Sequence, residues 1–210
     1  MSQIFLTSDS HFGHFNVIKY CNRPFTTVEE MNEALIANWN AVVGQEDIVF
    51  HLGDFSFHER YVEEFLSRLN GYKFLILGNH DKPHPANKGK TDKKFAEWVA
   101  KYKSLGFEDV LVKHTIVCQN HTFSLCHLPY NDPEDVQQAN QTIVRYVNHR
   151  PEDDGTPQLC GHVHDRWLTK RSSKGTVMVN VGVDAPGASW YMRPARLEEV
   201  MEVYNAEIGK

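Results

Sequence analysis

Apolar and polar positions alternate in two rhythms along the first part of the chain. "QIFLTSD" is a short apolar run ending in polar residues and predicts a strand. In "MNEALIANWNAVV", Met31, Leu35, Asn38/Trp39 and Val42 recur with a period near 3.6 residues, which predicts an amphipathic helix. Thr27 and Glu30 stand before it at capping-box spacing. "DIVFHLGD" predicts a second strand running into Gly53-Asp54, and "ERYVEEFLSRLN" a helix stopped by Gly71. "YKFLILGNHD" predicts a third strand. Strands that alternate with helices favour parallel pairing in an α/β sheet. Each of the three ends in a polar cluster: Ser8-Asp9-Ser10-His11, Gly53-Asp54, and Gly78-Asn79-His80-Asp81. Ligands bind outside the carboxyl ends of such strands, so the clusters are expected to meet along one edge.

The second half is richer in β-formers. "FEDVLVKHTIVCQ", "HTFSLCHL" and "TVMVNVGVD" predict strands, and "QLCGHVHD" begins as a short one. If that strand continues through His162 and His164, the spacing of two turns both imidazoles to one face. Gly161 before them leaves room for a close backbone approach. A helix is expected from roughly Glu134 to His149, followed by the loop "RPEDDGTP". "KPHPANKGKTDKK" carries Lys82, Lys88, Lys90, Lys93 and Lys94. It reads either as a solvated loop before a helix bearing Phe95, Trp98, Val99 and Tyr102, or as a positive rim that attracts an anion.

Composition narrows the class. The 210 residues suit a single domain, 1–210, with no repeat and no linker. A net charge of −5 gives no global reason to bind nucleic acid or acidic membranes. The four cysteines form no C-x-x-C pair, and reduced thiols in a cytoplasmic setting are the simplest reading. The N-terminus does not read as a signal peptide, and no run approaches membrane-span length.

Asp9, His11, Asp54, Asn79, His127, His162 and His164 supply imidazole nitrogens, carboxylates and an amide oxygen. That set suits Mn, Fe, Zn, Co or Ni, and the lack of cysteine ligands argues against a structural zinc knot. The blocks D-S-H at 9–11, G-D at 53–54, G-N-H-D at 78–81, His127 in "CHLPY" and G-H-V-H at 161–164 resemble the calcineurin-like metallophosphoesterases. "NVGVD" at 180–184 extends the resemblance. It implies a four-layer αββα sandwich of two mixed sheets flanked by helices. It also implies two divalent ions, with Mn2+ favoured and Fe, Zn, Ni or Co as alternatives. One ion would take Asp9, His11, Asp54 and His164, and the other Asp54, Asn79, His127 and His162, with Asp54 as the bridge. A metal-bridging hydroxide would then attack a phosphate mono- or diester, and His80, as imidazolium, would assist the leaving group.

The substrate implied is a nucleotide or another small phosphoester. A nuclease acting on nucleic-acid ends stays open, as does a non-catalytic scaffold on the same fold. An amidohydrolase also uses H-x-H, but early in a longer barrel. No membrane partner is expected, and the oligomeric state is undetermined.

Other residues carry readings of their own. His80 alternatively only hydrogen-bonds phosphate from its loop. Asp81 orients His80, orients a neighbouring backbone group, or is a turn or helix-cap aspartate. His14 meets substrate phosphate, supports the ligands, or covers the loop. Arg23 binds phosphate through its planar fork or forms a surface ion pair. His51 reads as a core histidine. Asp165 and Arg166 follow the H-x-H and either support the ligands or gate the cleft. Trp167, Trp190 and Tyr191 form an aromatic wall for a base or belong to the core.

Overall fold

Side-chain alternation sorts the strands of this computed structural model onto two faces. The structure describes residues 2–87, 91–131 and 146–209. In β1 (Ile4–Thr7), Phe5 and Leu6 point to opposite sides. So do Val49 and Phe50 in β2 (Ile48–His51), and Leu75 and Ile76 in β3 (Tyr72–Ile76). Phe5, Val49 and Leu75 pack under four helices: α1 (Phe15–Tyr20), α2 (Val28–Val42), α3 (Glu59–Leu66) and α4 (Asp92–Ser104). Leu6, Phe50 and Ile76 meet Phe123, Leu125, Leu159 and Val179 of a second sheet. The apolar layer between the two sheets is therefore made by the even-numbered positions of β1, β2 and β3.

The first sheet runs β10-β1-β2-β3-β4, with β4 at Asp109–Leu111 and β10 at Ala195–Arg196. Its four inner pairings are parallel except that of β10 with β1. The second runs β5-β6-β7-β9-β8, with β5 at His114–Cys118, β6 at His121–Leu125, β7 at Gln158–Cys160, β8 at Thr169–Arg171 and β9 at Val177–Asn180. There β6, β7 and β9 are parallel, and the outer strands are antiparallel. The stretch "FEDVLVKHTIVCQ" divides between the sheets, as β4 in one and β5 in the other. Helix α5 (Leu197–Ile208) turns Leu197, Val200, Met201 and Tyr204 into the layer between the sheets. The result is the expected sandwich of two mixed sheets flanked by helices.

Thr27 caps α2 as its spacing predicts, accepting from the Glu30 N–H at 3.1 Å, while the Glu30 carboxylate accepts from Thr26. Helix α3 ends at Leu66, ahead of Gly71. The helix expected from Glu134 falls mostly outside the described residues, which resume before a 3-10 turn at Val147–His149. Lys88 and Lys90 also fall outside them. Among the described residues no helix is long and apolar enough to cross a membrane. All four cysteines are free thiols.

Candidate metal centre

Because β1, β2 and β3 are parallel, their carboxyl ends bring all three polar clusters to one edge. Strands β6, β7 and β9 bring His127, Gly161–His164 and Asn180–Asp184 to the same edge from the other sheet. The sheets are tied together there. The Val183 N–H donates to the Ser8 carbonyl at 3.1 Å, and His127 Nδ1 donates to the Leu52 carbonyl at 2.7 Å. Gly161 lies against β1 so closely that a Cβ would collide with Ser8 Oγ and sit 2.5 Å from Asp9 Oδ2. The close approach expected at this glycine is thus where the two sheets converge.

The backbone leaves regular structure at the site. Among the described residues nine non-glycine positions have positive φ, and five of them are Asp9, His11, Asp54, His162 and His164. Such left-handed turns cost roughly 1–2 kcal/mol each for a residue with a Cβ. Local bonds hold them: Asp9 N–H to the Gly53 carbonyl, His11 N–H to the Asp54 carbonyl, and His162 N–H to Asp9 Oδ2, each at 3.0 Å. This corrects the strand reading of "QLCGHVHD". Strand β7 ends at Cys160, and His162 (φ 71°) and His164 (φ 49°) are aimed by turns rather than by strand alternation.

Two groups of donor atoms converge. One nitrogen or oxygen each from Asp9, His11 and His164 lie within 4.8 Å of one another, as do those from Asp9, Asp54 and His127. Asp54 Oδ2 reaches both sides, at 3.6 Å from His11 Nε2 and 3.4 Å from His127 Nε2. Asn79 Oδ1 is 3.1 Å from His127 Nε2. The His162 ring lies beside these, its centroid 5.3 Å from that of His127, and belongs to neither compact group. Asp9, unlike in the expected ligand sets, belongs to both.

The donors fit divalent cations on two counts. Both ring nitrogens of buried His11 lack a hydrogen-bond partner, which is costly unless something else satisfies them. The electrostatics also call for positive charge. Burial opposes a charged His127, yet Asp54 overrides it and raises this imidazole to about 9. Burial likewise opposes a charged His164, and Asp9 and Asp184 outweigh it. Burial, joined by neighbouring His164 and His80, keeps His11 well below the usual imidazole range, and burial joined by His127 does the same for His162. Buried carboxylates thus draw protons onto two imidazoles, and a cation would supply that charge while leaving the rings neutral as ligands.

Supporting residues hold these groups from behind. A carbonyl can only accept, so His127 carries its proton on Nδ1 and presents Nε2 to the centre. His164 Nδ1 lies 2.9 Å from Asp184 Oδ2 and 3.2 Å from Cys21 Sγ. Asp81 accepts from the backbone N–H groups of Gly78 (2.8 Å), Asp54 (2.9 Å) and Phe55 (3.2 Å). Of its readings, Asp81 therefore takes the one that orients the neighbouring backbone. Burial, with the Asp54 charge, pushes its carboxyl up to about 7 against the Gly78 donor. Asp184 and Cys21 were not anticipated. The only pointer to Asp184 was its place at the end of "NVGVD", and Cys21 carried none.

Arg23 departs from the phosphate-binding expectation. It is buried, not on the surface, and its fork holds both Asp184 oxygens at 2.8 and 2.9 Å. Its remaining donors meet the Asp9 and Ser10 carbonyls, and it does not line the cleft. His80 does line it, half-exposed, with Nε2 4.0 Å from Asp54 Oδ2 and its backbone N–H on Asp54 Oδ1 at 2.8 Å. His14 lines it as well, its ring centroid 5.4 Å from that of His11. Burial and nearby His80 lower the His14 imidazole to about 4. His51 is a core histidine, bonded to Ser10 Oγ at 2.9 Å. Trp190 is fully buried and Trp167 packs beside Tyr130, Cys160 and Met178, so neither forms a wall for a base.

Comparison with known proteins matches the calcineurin-like phosphoesterase family across residues 2–208. An uncharacterized protein of Methanocaldococcus jannaschii is 54% identical over 85 residues, 39% of this chain and 48% of that protein, so the match spans about half of that relative. The gene 66 protein of Mycobacterium phage L5 is 32% identical over 198 residues, 89% of each chain. A protein of unknown function from Aquifex aeolicus has a similar fold, with a TM-score of 0.65 at 22% identity, over 97% of this chain and 100% of that one.

Proposed function

The chain belongs to the calcineurin-like phosphoesterase family and is a phosphoester hydrolase, and from that premise we propose that it cleaves a small phosphate mono- or diester, of the nucleotide type, at a centre of two divalent ions. The observation that carries this reading is the convergence of Asp9, His11, Asp54, His127 and His164 at the strand ends, with His11, Asp54 and His164 lining a cleft of about 490 Å³. A cleft of that size suits a small molecule.

Asp9, His11 and His164, with Asp54, would hold one ion. Asp54, Asn79, His127 and His162 would hold the other, with Asp9 close enough to contribute. Bound there, such ions neutralise phosphate charge and acidify a coordinated water. Mn2+ is the favoured metal, with Fe, Zn, Ni or Co as alternatives.

The chain's own residues do the rest. Asp81 fixes the backbone of Asp54, and the His80 N–H fixes one Asp54 oxygen, leaving the other free to face the centre. The Leu52 carbonyl fixes the His127 tautomer. His80 stands at the open side of the cleft with its ring exposed, where it can donate a proton to a departing alkoxide. His14 contacts the phosphate from the same side. The free thiols suit a cytoplasmic setting.

The test is metal content after purification, together with hydrolysis of p-nitrophenyl phosphate and bis-p-nitrophenyl phosphate in Mn2+. Bound metal with turnover of either ester supports the reading. Absence of both metal and turnover overturns it. Metal binding without turnover across a wider panel of esters favours a non-catalytic binding protein.

A further inference from the structure

The hydrolytic machinery uses the floor of the cleft and leaves one flank unexplained. Arg166 lines the cleft and is exposed, and its guanidinium makes no hydrogen bond or ion pair among the described residues. By contrast Arg23, Arg68, Arg171 and Arg193 each hold a carboxylate. On the first sheet's side, at the end of α1 and in the segment after β2, aromatic rings are left in water. His14 stacks on Phe57, with ring centroids 4.3 Å apart and planes 14° from parallel, and Tyr20 meets His14 edge-on at 6.3 Å. Phe57 is 53% exposed and Tyr20 72% exposed. Exposed rings in such a cluster beside a cleft lack a packing rationale and mark a contact surface.

The two features ask for one kind of molecule. A guanidinium offers a planar fork for a phosphate oxygen. Flat exposed rings offer stacking area that every nucleobase can use. Arg166, Tyr20 and His14 line the cleft together with candidate metal donors, and Phe57 stacks on His14 beside it. We infer that this flank recognises the part of the substrate that stays behind after cleavage, and that the substrate class is a nucleoside phosphoester, with its base against Phe57 and Tyr20 and a phosphate oxygen on Arg166. The inference rests on the hydrolytic reading above and adds to its nucleotide-type substrate the residues that recognise it. It also moves the aromatic wall from Trp167 and Trp190, which are packed inward, to the end of α1 and the segment that follows β2.

The experiment compares two diesters with the same leaving group, thymidine 5′-(p-nitrophenyl phosphate) and methyl p-nitrophenyl phosphate, on the metal-loaded protein. The nucleoside ester is expected to show a KM lower by about tenfold, the scale of one base–aromatic stack. The double variant Tyr20→Leu, Phe57→Leu should erase most of that preference, with a much smaller change for the methyl ester. Arg166→Gln should raise KM for both esters, because the phosphate is common to them. Equal KM values in the unaltered protein, or a double variant that weakens both esters alike, would overturn the inference. Thermal melts of each variant separate recognition from misfolding. If neither ester is turned over, the hydrolytic reading fails. Calorimetric affinities then decide the flank separately: a nucleoside preference lost in the double variant supports it, and equal affinities overturn it.

Discussion

The carboxylate of Asp184 lies 2.9 Å from Nδ1 of His164, and the two residues come from different loops at the same sheet edge. A carboxylate in that place keeps the ring proton on Nδ1 and turns Nε2 towards Asp9, 3.7 Å away. Asp184→Asn should weaken metal binding by about 10–100-fold, besides lowering stability because it leaves the buried Arg23 charge uncompensated. Titration against a competing chelator measures this. An unchanged affinity would show that His164 needs no such partner.

Arg23 completes the same chain of contacts from behind. The Arg23–Asp184 pair is buried on both sides. Removing one member of a buried pair typically costs about 3–5 kcal/mol, because the other charge is left alone. Arg23→Leu should therefore lower the denaturant midpoint strongly even in the absence of metal. A loss below about 1 kcal/mol would mean that Asp184 finds another partner or a proton.

Asp54 faces both donor groups. Asp54→Ala should lower metal content to one ion or none and remove turnover, while secondary structure persists. Elemental analysis of the purified variant reads this directly, and normal two-ion occupancy would remove Asp54 from the bridging role.

His80 is exposed at the mouth of the cleft, whereas the donor histidines His11 and His127 are buried. His80→Ala should retain metal and lose rate by about 10²–10⁴-fold for esters with poor leaving groups. The loss should shrink for p-nitrophenolate, which leaves without a proton. Equal losses across leaving groups would argue for phosphate contact instead.

Far from the cleft, Glu199 offers a test of acid stability. Arg193 grips both of its oxygens at 2.6 and 2.9 Å, and the Arg196 N–H donates at 2.9 Å. The Arg193 contact leads in holding this carboxyl down to about 2. A folded pKa below the unfolded one means the contribution is complete above about pH 4.5 and fades as pH falls towards 2. Glu199→Gln should cost about 1–2 kcal/mol at pH 7, with a gap to the unaltered protein that narrows below pH 4.5. Denaturant unfolding at pH 7 and pH 3 checks this, and a constant gap would contradict it.

Much of the architecture was legible before any fold was known. The period of "MNEALIANWNAVV" and the apolar runs before Asp9, Asp54 and Asn79 are local signals, and helices and strands form where they predict. Parallel pairing then obliges the three polar clusters to share an edge, while the choice of ligands within them came from the family resemblance.

The tertiary structure decided what each donor leans on and how it is aimed. Arg23 and Asp184 are 161 positions apart, and no local pattern reports that they pair or that Arg23 is buried. His162 and His164 sit two apart in the sequence, as strand neighbours would, but left-handed turns point them. Beyond the last strand residue, side-chain direction is set by long-range contacts such as Gly161 against Ser8, not by a repeating period. The sequence determined which chemical groups reach the edge, because strand order and polar strand ends are local properties. Their aim and their partners depend on two sheets converging, which only the packed chain contains.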